Sequence, residues 1–353
     1  MKLIELHILQ SFPVSCLNRD DVGAPKTATF GGVSRARISS QCLKRAIREL
    51  AKELSPELFA GLRSRLIITP LAEALTKYGV AEEESVEVAK LIGDHLAKLD
   101  PDAAKKGDLK VKTLMFLSPA ELDSVAKELA EVLKKKPTEK ELQKAATKAC
   151  KSAALKDAAD IAIFGRMVAN DHSLTIEGAG LFSHALSTHR ADNDIDFFSA
   201  VDDRQSEDEA GAGMTGTLEF TSATYYRYIA LNLGMLSDDA HLSALEPDER
   251  KKVVEAFLRA ALLAVPNARK NSMNAHTLPG YVLGIVKEGQ PLQLVNAFEN
   301  PVRSNKGIMD ASIAALKEHH KQLKETWNIK TTLELAIPDK PLDEFCKEIL
   351  SHV

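Results

Sequence analysis

The stretch FGGVSRARISSQCLKRAIREL, residues 30–50, decides how the first part of this chain folds. Two glycines follow its first residue, a short run rich in arginine and serine comes next, and apolar residues such as Leu43 and Ile47 then recur at helical spacing. Ser39 and Ser40 are of a residue type that begins helices. The start of a helix presents unpaired N–H groups and partial positive charge, and both suit a phosphate. The stretch therefore predicts a loop and a helix start that hold a negatively charged group.

Basic side chains accompany the predicted helix start. Lys44, Arg45 and Arg48 lie in its first turns, and Lys44 and Arg48 share one face because they are four residues apart. A simpler interpretation is that a serine only caps the helix and that the cations are solvated. Because loop, cap and cations coincide, we favour a site for a phosphate backbone. The candidate residues in and just before the stretch are Lys26, Arg35, Arg37, Ser39, Ser40, Gln41, Lys44, Arg45 and Arg48.

The composition is that of a globular chain, and 353 residues are enough for two or three modules. The four cysteines are far apart and form no C-x-x-C pair, so they indicate neither a zinc site nor a disulfide framework. We expect a cytoplasmic protein, since the N-terminus has no signal pattern and the chain has no run of about 18 apolar residues. No cofactor and no membrane partner are expected.

Charge is segregated along the chain, although the net charge is only −4. Residues 19–48 hold seven Lys/Arg and two Asp, and residues 134–156 hold eight Lys and two Glu. Residues 190–209 instead hold eight acidic residues and two arginines. Such segregation is typical of a protein that contacts polyanions with some of its faces only.

Strand and helix patterns alternate unevenly along the chain. A first strand over 2–12 and a polar loop over 13–33 precede the helix of the opening stretch, and residues 57–155 have an almost wholly helical pattern. The remaining strand patterns cover 160–169, 180–189, 216–233 and 280–286, and the remaining helices cover 247–265 and the segment after Asp310. Long strands with a few covering helices predict an α+β sheet that carries insertions.

A lysine-rich helix ends the helical block. Thr138 and Glu141 form a capping box at its start, and an earlier capping box joins Ser118 to Glu121. The lysines of this segment are Lys134, Lys135, Lys136, Lys140, Lys144, Lys148 and Lys151, and the spacing 136-140-144-148 predicts one continuous face. Such a face binds polyanions through counterion release, or it is simply solvated.

An acidic segment over residues 190–215 separates two strand patterns. A loop of this length inside a compact domain is usually functional or disordered, and we interpret it as a protruding arm. Its apolar residues Phe197, Phe198 and Val201 should pack locally or press on a partner. The run DNDIDFFSAVDD begins like a calcium-binding loop but has phenylalanine where the turn requires glycine, so no metal site is predicted.

Catalytic motifs are lacking, and the ten histidines are interpreted as structural or surface residues. Asp20 and Asp21, in the loop after the first strand, could hold a magnesium ion beside a phosphodiester, although two adjacent aspartates are more often turn residues. Arg166 and Met167 follow a glycine. An exposed methionine can wedge between bases while an arginine beside it holds a phosphate, whereas a methionine in the core is the simpler interpretation.

Five motifs, in this order along nearly the whole chain, closely resemble one family, the CasC backbone subunits of type I-E CRISPR Cascade surveillance complexes. The first two motifs are the most specific, and the helical block is the weakest part of the resemblance. The motifs are SCLNRDD (15–21), FGGVSRARISSQCLKRA (30–46), GRM (165–167), THRADNDIDFFSAVDD (188–203) and NAFENPV (296–302).

The resemblance implies a ferredoxin-like (RRM-like) palm with a helical fingers insertion and a protruding β thumb. It implies that several copies form a filament along a CRISPR RNA (crRNA), which is kinked at intervals and pairs with target DNA. It also implies other Cascade subunits as partners and a recruited helicase-nuclease that cuts, so that the chain itself is not an enzyme. The implied parts are palm (1–56 and 218–353), fingers (57–155), palm–fingers edge (156–189) and thumb (190–217).

Roles of single residues are carried over motif by motif. Asn18 and Arg19 would join the opening stretch on the guide backbone, and Arg303 and Lys306 are further phosphate contacts. The residues implied at the kinked nucleotide are Arg166, Met167, Phe198 and Val201. The residues implied to face incoming DNA are Lys134, Lys135, Lys136, Lys140 and Lys144.

Two alternatives stay open. The related backbone subunits of type III complexes cut target RNA with an aspartate near the guide, and Asp20 and Asp21 would be the candidates here. A stand-alone single-strand RNA-binding module would carry the aromatic RRM signature on a strand, and no stretch of this chain fits it.

Overall fold

The computed structural model of the chain describes residues 1–153, 155–168, 170–200 and 214–353. The chain divides into two compact units, which we call the helical unit and the sheet unit. The helical unit comprises Met1, Ala51–Leu181 and Leu231–Phe257, and the sheet unit comprises Lys2–Leu50, Phe182–Ala230 and Leu258–Val353. None of the helices in the described ranges is both long and apolar enough to cross a membrane.

The described residues form more helix than strand. The strands are β1 (Lys2–Ser15), β2 (Thr27–Phe30), β3 (Val33–Ile38), β4 (Leu62–Ser64), β5 (Met115–Leu117), β6 (Gly180–Phe182), β7 (Ala185–Ser187), β8 (Asp194–Ala200), β9 (Met214–Asn232), β10 (Tyr281–Glu288) and β11 (Leu333–Ile337). The helices are α1 (Ser40–Leu54), α2 (Ile68–Lys77), α3 (Glu82–Ala97), α4 (Pro101–Ala104), α5 (Pro119–Leu133), α6 (Glu139–Ser152), α7 (Ala159–Phe164), α8 (Leu233–Leu236), α9 (Pro247–Leu263), α10 (Ile308–Trp327) and α11 (Leu342–Leu350).

The sheet unit is built on one sheet with the strand order β11-β10-β1-β9-β7-β3-β2. β1 pairs antiparallel with β10, from Lys2 opposite Glu288 to Leu9 opposite Tyr281. β10 pairs antiparallel with β11, and β3 with β2 and β7. The predicted α+β class is therefore confirmed, while the ferredoxin-like arrangement of the palm stays a prediction.

Polar residues in the interior strand β1 are buried because each has a partner on a neighbouring strand. The Glu5 carboxylate lies 3.0 Å from Lys287 Nζ and accepts a 2.8 Å hydrogen bond from the Tyr228 hydroxyl. His7 Nδ1 lies 2.9 Å from the Tyr226 hydroxyl, and burial lowers the pKa of its imidazole to about 3. These pairs satisfy the Glu5 carboxylate and Nδ1 of His7, which would otherwise destabilise the core.

In the helical unit, helices α2, α3, α5 and α6 share one hydrophobic core. Both predicted capping boxes are present, with Ser118 and Glu121 at the start of α5 and Thr138 and Glu141 at the start of α6. Both capping boxes could be predicted from the sequence because a capping box joins residues only three positions apart. The short strands β4 and β5 pair with each other in the same unit.

The predicted lysine-rich helix is confirmed as α6, but it is shorter than its lysine run. Lys134, Lys135 and Lys136 precede its first residue, and Lys136 has a positive φ of 52°. A residue in that conformation cannot continue a right-handed helix, so the predicted face through Lys136 is wrong. Lys140, Lys144 and Lys148 do lie on α6.

The predicted strand over 160–169 is wrong. Residues 159–164 form the helix α7, and all six are buried. A short apolar run that is buried on every side has no periodicity that separates helix from strand. Gly165, with φ 78°, ends the helix.

The acidic segment expected as a loop holds a strand in its first part. β8 pairs antiparallel with the start of β9, from Asp194 opposite Phe220 to Ala200 opposite Met214. Val201, which the resemblance implied at the kinked nucleotide, lies outside the described residues. Cross-strand pairing offsets the low strand propensity of the acidic residues on β8.

Candidate nucleic-acid interface

The loop after β1 is joined to the start of α1 by backbone and side-chain hydrogen bonds. The Ser39 N–H donates to Asn18 Oδ1 over 2.8 Å, and the Lys26 N–H donates to the Asn18 carbonyl over 2.9 Å. The Cys42 thiol lies 3.6 Å from the carbonyl oxygen of Leu17. Asn18 therefore positions the loop that carries Arg19 against the helix start, which is a role that the sequence motif alone did not show.

The helix start lies where the sequence predicted it. α1 begins at Ser40, Ser39 Oγ accepts the Cys42 N–H at 3.3 Å, and the first turn holds no acidic residue. The Ser40 N–H donates to Nδ1 of His184 over 3.0 Å. Burial, followed by the charges of Arg37 and Lys26, lowers the pKa of the His184 imidazole. The lowered pKa favours the neutral ring, whose Nδ1 accepts the Ser40 N–H.

The cations around this helix start differ in exposure. Arg19, Gln41 and Arg45 are exposed, and Arg45 forms a 2.7 Å ion pair with Glu49 one turn along the helix. The ammonium of Lys44 lies 5.0 Å from the centre of the Phe182 ring. The half-buried cations and polar residues of the region are Asn18, Lys26, Arg37, Ser40, Lys44 and Arg48. We call this set of exposed and half-buried side chains the palm cradle; Ser39, which is buried, caps the helix beneath it.

Arg35 is buried and stabilises the fold, so it is not an exposed contact residue. Its side chain is fully buried, and its guanidinium donates to four carbonyl oxygens. These acceptors belong to Phe30 (3.1 Å), Ser187 (3.0 Å), Phe298 (2.7 Å) and Glu299 (3.2 Å). A phosphate cannot reach this group without displacing those carbonyls. Arg35 instead joins the opening stretch to the NAFENPV motif, a partnership between residues about 260 positions apart that periodicity cannot reveal.

Gly31 lies close to the backbone of this same motif. The close approach gives a testable prediction, for which Gly32 is the matched control. Gly31 has φ 61°, and an added Cβ would lie 1.7 Å from the Glu299 carbonyl oxygen. Gly32 has φ 75°, but nothing lies within 4 Å of its Cβ position. Both alanine variants carry the left-handed backbone penalty of about 1–2 kcal/mol, and only Gly31→Ala adds a clash of about 1–3 kcal/mol. The free energy of unfolding, measured in urea, should therefore be lower for Gly31→Ala than for Gly32→Ala. Equal free energies would contradict the close approach of Gly31 to Glu299.

Asp20 organises a turn. Its Oδ1 accepts the backbone N–H groups of Val22 at 3.0 Å and Ala24 at 2.9 Å. This is the bonding of an aspartate turn, as the simpler interpretation expected. In the part of the chain that the structure describes, no group of three or more His, Cys, Asp or Glu side chains could hold a metal ion.

Arg166 and Met167 point to opposite sides of one extended segment. The backbone of Arg166 pairs with Ile176 through two 2.8 Å hydrogen bonds. Its guanidinium is buried against the Glu121 carboxylate at 2.6 Å and donates to the carbonyls of Phe116 and Leu174. Met167 is 77% exposed. The two neighbours therefore have different roles. Arg166 stabilises the core of the helical unit, whereas the exposed Met167 is accessible to a partner.

The hairpin of β8 and β9 has two different faces. The ring of Phe198 is half-buried and lies over Gly216, whose added Cβ would be 2.5 Å from it. On the other face Ile195 and Phe197 are 71% and 66% exposed. Alternation along a strand separates the two faces, so Phe197 is the more accessible aromatic side chain. Sequence reasoning had noted Phe197 but assigned the contact to Phe198.

Arg303 and Lys306, the further phosphate candidates, are both exposed. They lie in the segment between a short 3-10 helix at Val295–Phe298 and α10. Ser304 Oγ accepts the Lys306 N–H at 3.1 Å and shapes the turn between them.

The lysines of α6 line a groove of about 580 Å³ in the helical unit. Lys140 and Lys144 belong to it, as do Lys148 and Lys151, which were not among the predicted DNA contacts. On its wall His95 Nε2 lies 3.1 Å from the Thr147 hydroxyl. Lys134, Lys135 and Lys136 lie outside this lining, and Lys134 pairs with Glu131 at 2.6 Å.

The fold is that of subunits found in RNA-guided complexes. A solved chain titled "CRISPR RNA-guided surveillance complex, pre-nicking" is 26% identical, with a TM-score of 0.79 and 99% of each chain covered. Another, titled "CRISPR RNA-guided surveillance complex", is 22% identical, with a TM-score of 0.71 and coverage of 99% of this chain and 100% of that one.

The chain belongs to the CT1975-like protein family, whose model matches residues 4–346. No curated protein sequence matches it. The resemblance to Cascade backbone subunits that the sequence motifs indicated is thus confirmed.

Proposed function

We propose that this chain is a crRNA-binding backbone subunit of a type I-E CRISPR Cascade complex. The observation that carries the proposal is the palm cradle, in which a helix start without acidic residues, a turn held by Asn18 and several cations meet. The positive end of a helix dipole and cations of this kind favour phosphates without reading bases. The solved chains of similar fold come from RNA-guided complexes, which supports a guide RNA as the ligand.

In this proposal the sheet unit supplies the palm, α2–α6 supply the fingers and the β8–β9 hairpin is the thumb. Several copies polymerise along one guide with other Cascade subunits. The exposed side chains of Met167 and Phe197 are each proposed as a contact of a kinked nucleotide, as is the thumb residue Phe198. Arg303 and Lys306 add phosphate contacts.

The lysine groove of α6 would receive target DNA. Four lysines line it, and cations on one face bind duplex phosphates through counterion release. In this role Lys140 and Lys144 are retained, and Lys148 and Lys151 are added. Base pairing with the guide supplies sequence discrimination, and a recruited helicase-nuclease supplies cutting, so this chain does no chemistry itself.

Nuclease footprinting tests the proposal. With increasing protein, the protected length of a guide RNA should grow in equal steps, because each copy covers a fixed number of nucleotides. One isolated protected patch at every protein concentration would contradict a filament and would favour a stand-alone RNA-binding module.

A cleavage assay with magnesium on the same complex tests the type III alternative. The proposal expects no cutting of target RNA. Cutting that is lost in Asp20→Ala or Asp21→Ala would replace the binding-only function.

A further inference from the structure

The loop that follows α9, residues 267–276, has the composition of a nucleic-acid contact although no motif marks it. No acidic residue occurs between Glu255 and Glu288. The loop itself offers cationic, amide and hydroxyl donors, which are the groups that contact phosphates. Its exposed members are Asn267, Lys270, Asn271, Ser272, Asn274 and His276.

Hydrogen bonds hold the C-terminal end of this loop against β1. Gln10 Nε2 donates to the Thr277 carbonyl over 2.7 Å, and the Thr277 hydroxyl donates to the Ser11 carbonyl over 2.8 Å. The Gly280 N–H donates to the Leu9 carbonyl over 3.0 Å. The loop therefore lies beside the half of β1 that leads into the palm cradle.

Arg269 brings the middle of the loop to the palm cradle itself. Burial raises the pKa of the Cys16 thiol, and the charges of Arg269 and then Arg19 oppose that shift. Cys16 directly follows β1 and lies two residues before Asn18. The charges of two arginines from segments about 250 residues apart therefore act on the same thiol.

The backbone at Arg269 presents the next residue outward. Arg269 has a positive φ of 51°, and its carbonyl accepts the N–H groups of Ser272 at 3.1 Å and Met273 at 2.9 Å. Lys270 follows on this tight turn and is exposed. A left-handed conformation at a residue other than glycine costs free energy, and such strain is concentrated at functional sites.

We propose that the 267–276 loop is a further wall of the guide-phosphate site, in which Lys270 contacts a phosphate. Arg269 is a positioning residue that holds the loop against Cys16 and Arg19. This inference rests on the proposed function, because it takes the ligand of the palm cradle to be single-stranded RNA. The contact is to the sugar-phosphate backbone and does not depend on base sequence.

The salt dependence of RNA binding by the full chain tests this contact. Each phosphate neutralised on a single strand adds about 0.7 to the slope of log K against log salt concentration, so Lys270→Ala should lower that slope by about 0.7. Lys270→Arg should retain the slope, because the charge is kept. Two guide-length RNAs of unrelated sequence should give the same change.

Lys330→Ala is the matched control. Lys330 is also an exposed lysine of the sheet unit, but it lines a groove with Lys287 and Glu288, at the opposite end of β10 from Gly280. Eight strand residues separate these ends by roughly 25 Å. The control should leave the slope unchanged, and an equal change in both variants would show only a general charge effect and would overturn the inference.

The outcomes also separate this inference from the proposed function. If Lys44→Ala with Arg48→Ala lowers the slope and Lys270→Ala does not, the loop is not part of the site while the function stands. If neither change lowers the slope, both the inference about the loop and the proposed function are wrong. If Lys270→Ala weakens association between copies at unchanged RNA affinity, the loop meets protein instead, and the inference is overturned.

Discussion

Replacing Lys44 and Arg48 together by alanine should remove most of the RNA that co-purifies with this protein. The two side chains lie four residues apart on α1, immediately after the helix start at Ser40. Loss of two phosphate contacts should lower the salt slope of RNA binding by about 1.4 and the affinity at physiological salt by roughly 10–100-fold. The measurement is RNA binding as a function of salt concentration.

The chain offers a matched control for this double change. Lys140 and Lys144 are also cations four residues apart on a helix, although they are exposed rather than half-buried, and they line the groove proposed for DNA. Their replacement by alanine removes the same charge but should leave guide RNA binding unchanged. The loss at Lys44 and Arg48 should be equal for RNAs of different sequence, since phosphates carry no sequence information. A loss that depends on base sequence would contradict the palm cradle as a backbone site.

Arg166→Met should destabilise the helical unit by about 3–5 kcal/mol, because it leaves a buried carboxylate without its partner. Glu121 is fully buried, and its carboxylate faces the Arg166 guanidinium and the Ser118 N–H. Burial raises the pKa of Glu121, and the charge of Arg166 opposes that shift. Urea unfolding monitored by circular dichroism would measure the loss.

A second substitution shows whether the loss arises from the uncompensated charge. Glu121→Gln removes that charge and keeps an oxygen that can accept the Ser118 N–H, so the double variant with Arg166→Met should recover most of the lost stability. Met167→Ala, at the exposed neighbour, should change stability by less than about 0.5 kcal/mol. An Arg166→Met variant that is fully stable but binds RNA with a lower salt slope would return Arg166 to the guide-contacting role that the resemblance implied.

Features with short-range causes were predictable from the sequence. The start of α1, the two capping boxes and the lysine-rich helix all depend on residues within a few positions of each other. Helix caps and amphipathic spacing act over that range, so a single sequence reveals them. The short helix α7 was missed because complete burial removes the periodicity on which such a prediction depends.

Features with long-range causes were not predictable in this way. Arg35, Arg45 and Arg166 look alike as cations in the sequence, yet two are buried against carbonyl or carboxylate groups and only Arg45 is exposed. Conversely, Arg269 belongs to no motif, yet its charge acts on the thiol of Cys16, next to the loop that carries Asn18 and Arg19. A possible signal was the long stretch without acidic residues around it.

The sequence by itself determined a loop and a basic helix start, for which we propose a phosphate ligand, and its motifs indicated the family. Only the tertiary structure decided which of these cations are exposed or half-buried and which are buried and hold the fold together. The physical reason is that local patterns set backbone conformation, whereas the burial of a charge depends on partners brought from distant parts of the chain. A charged side chain becomes structural when such partners replace water around it.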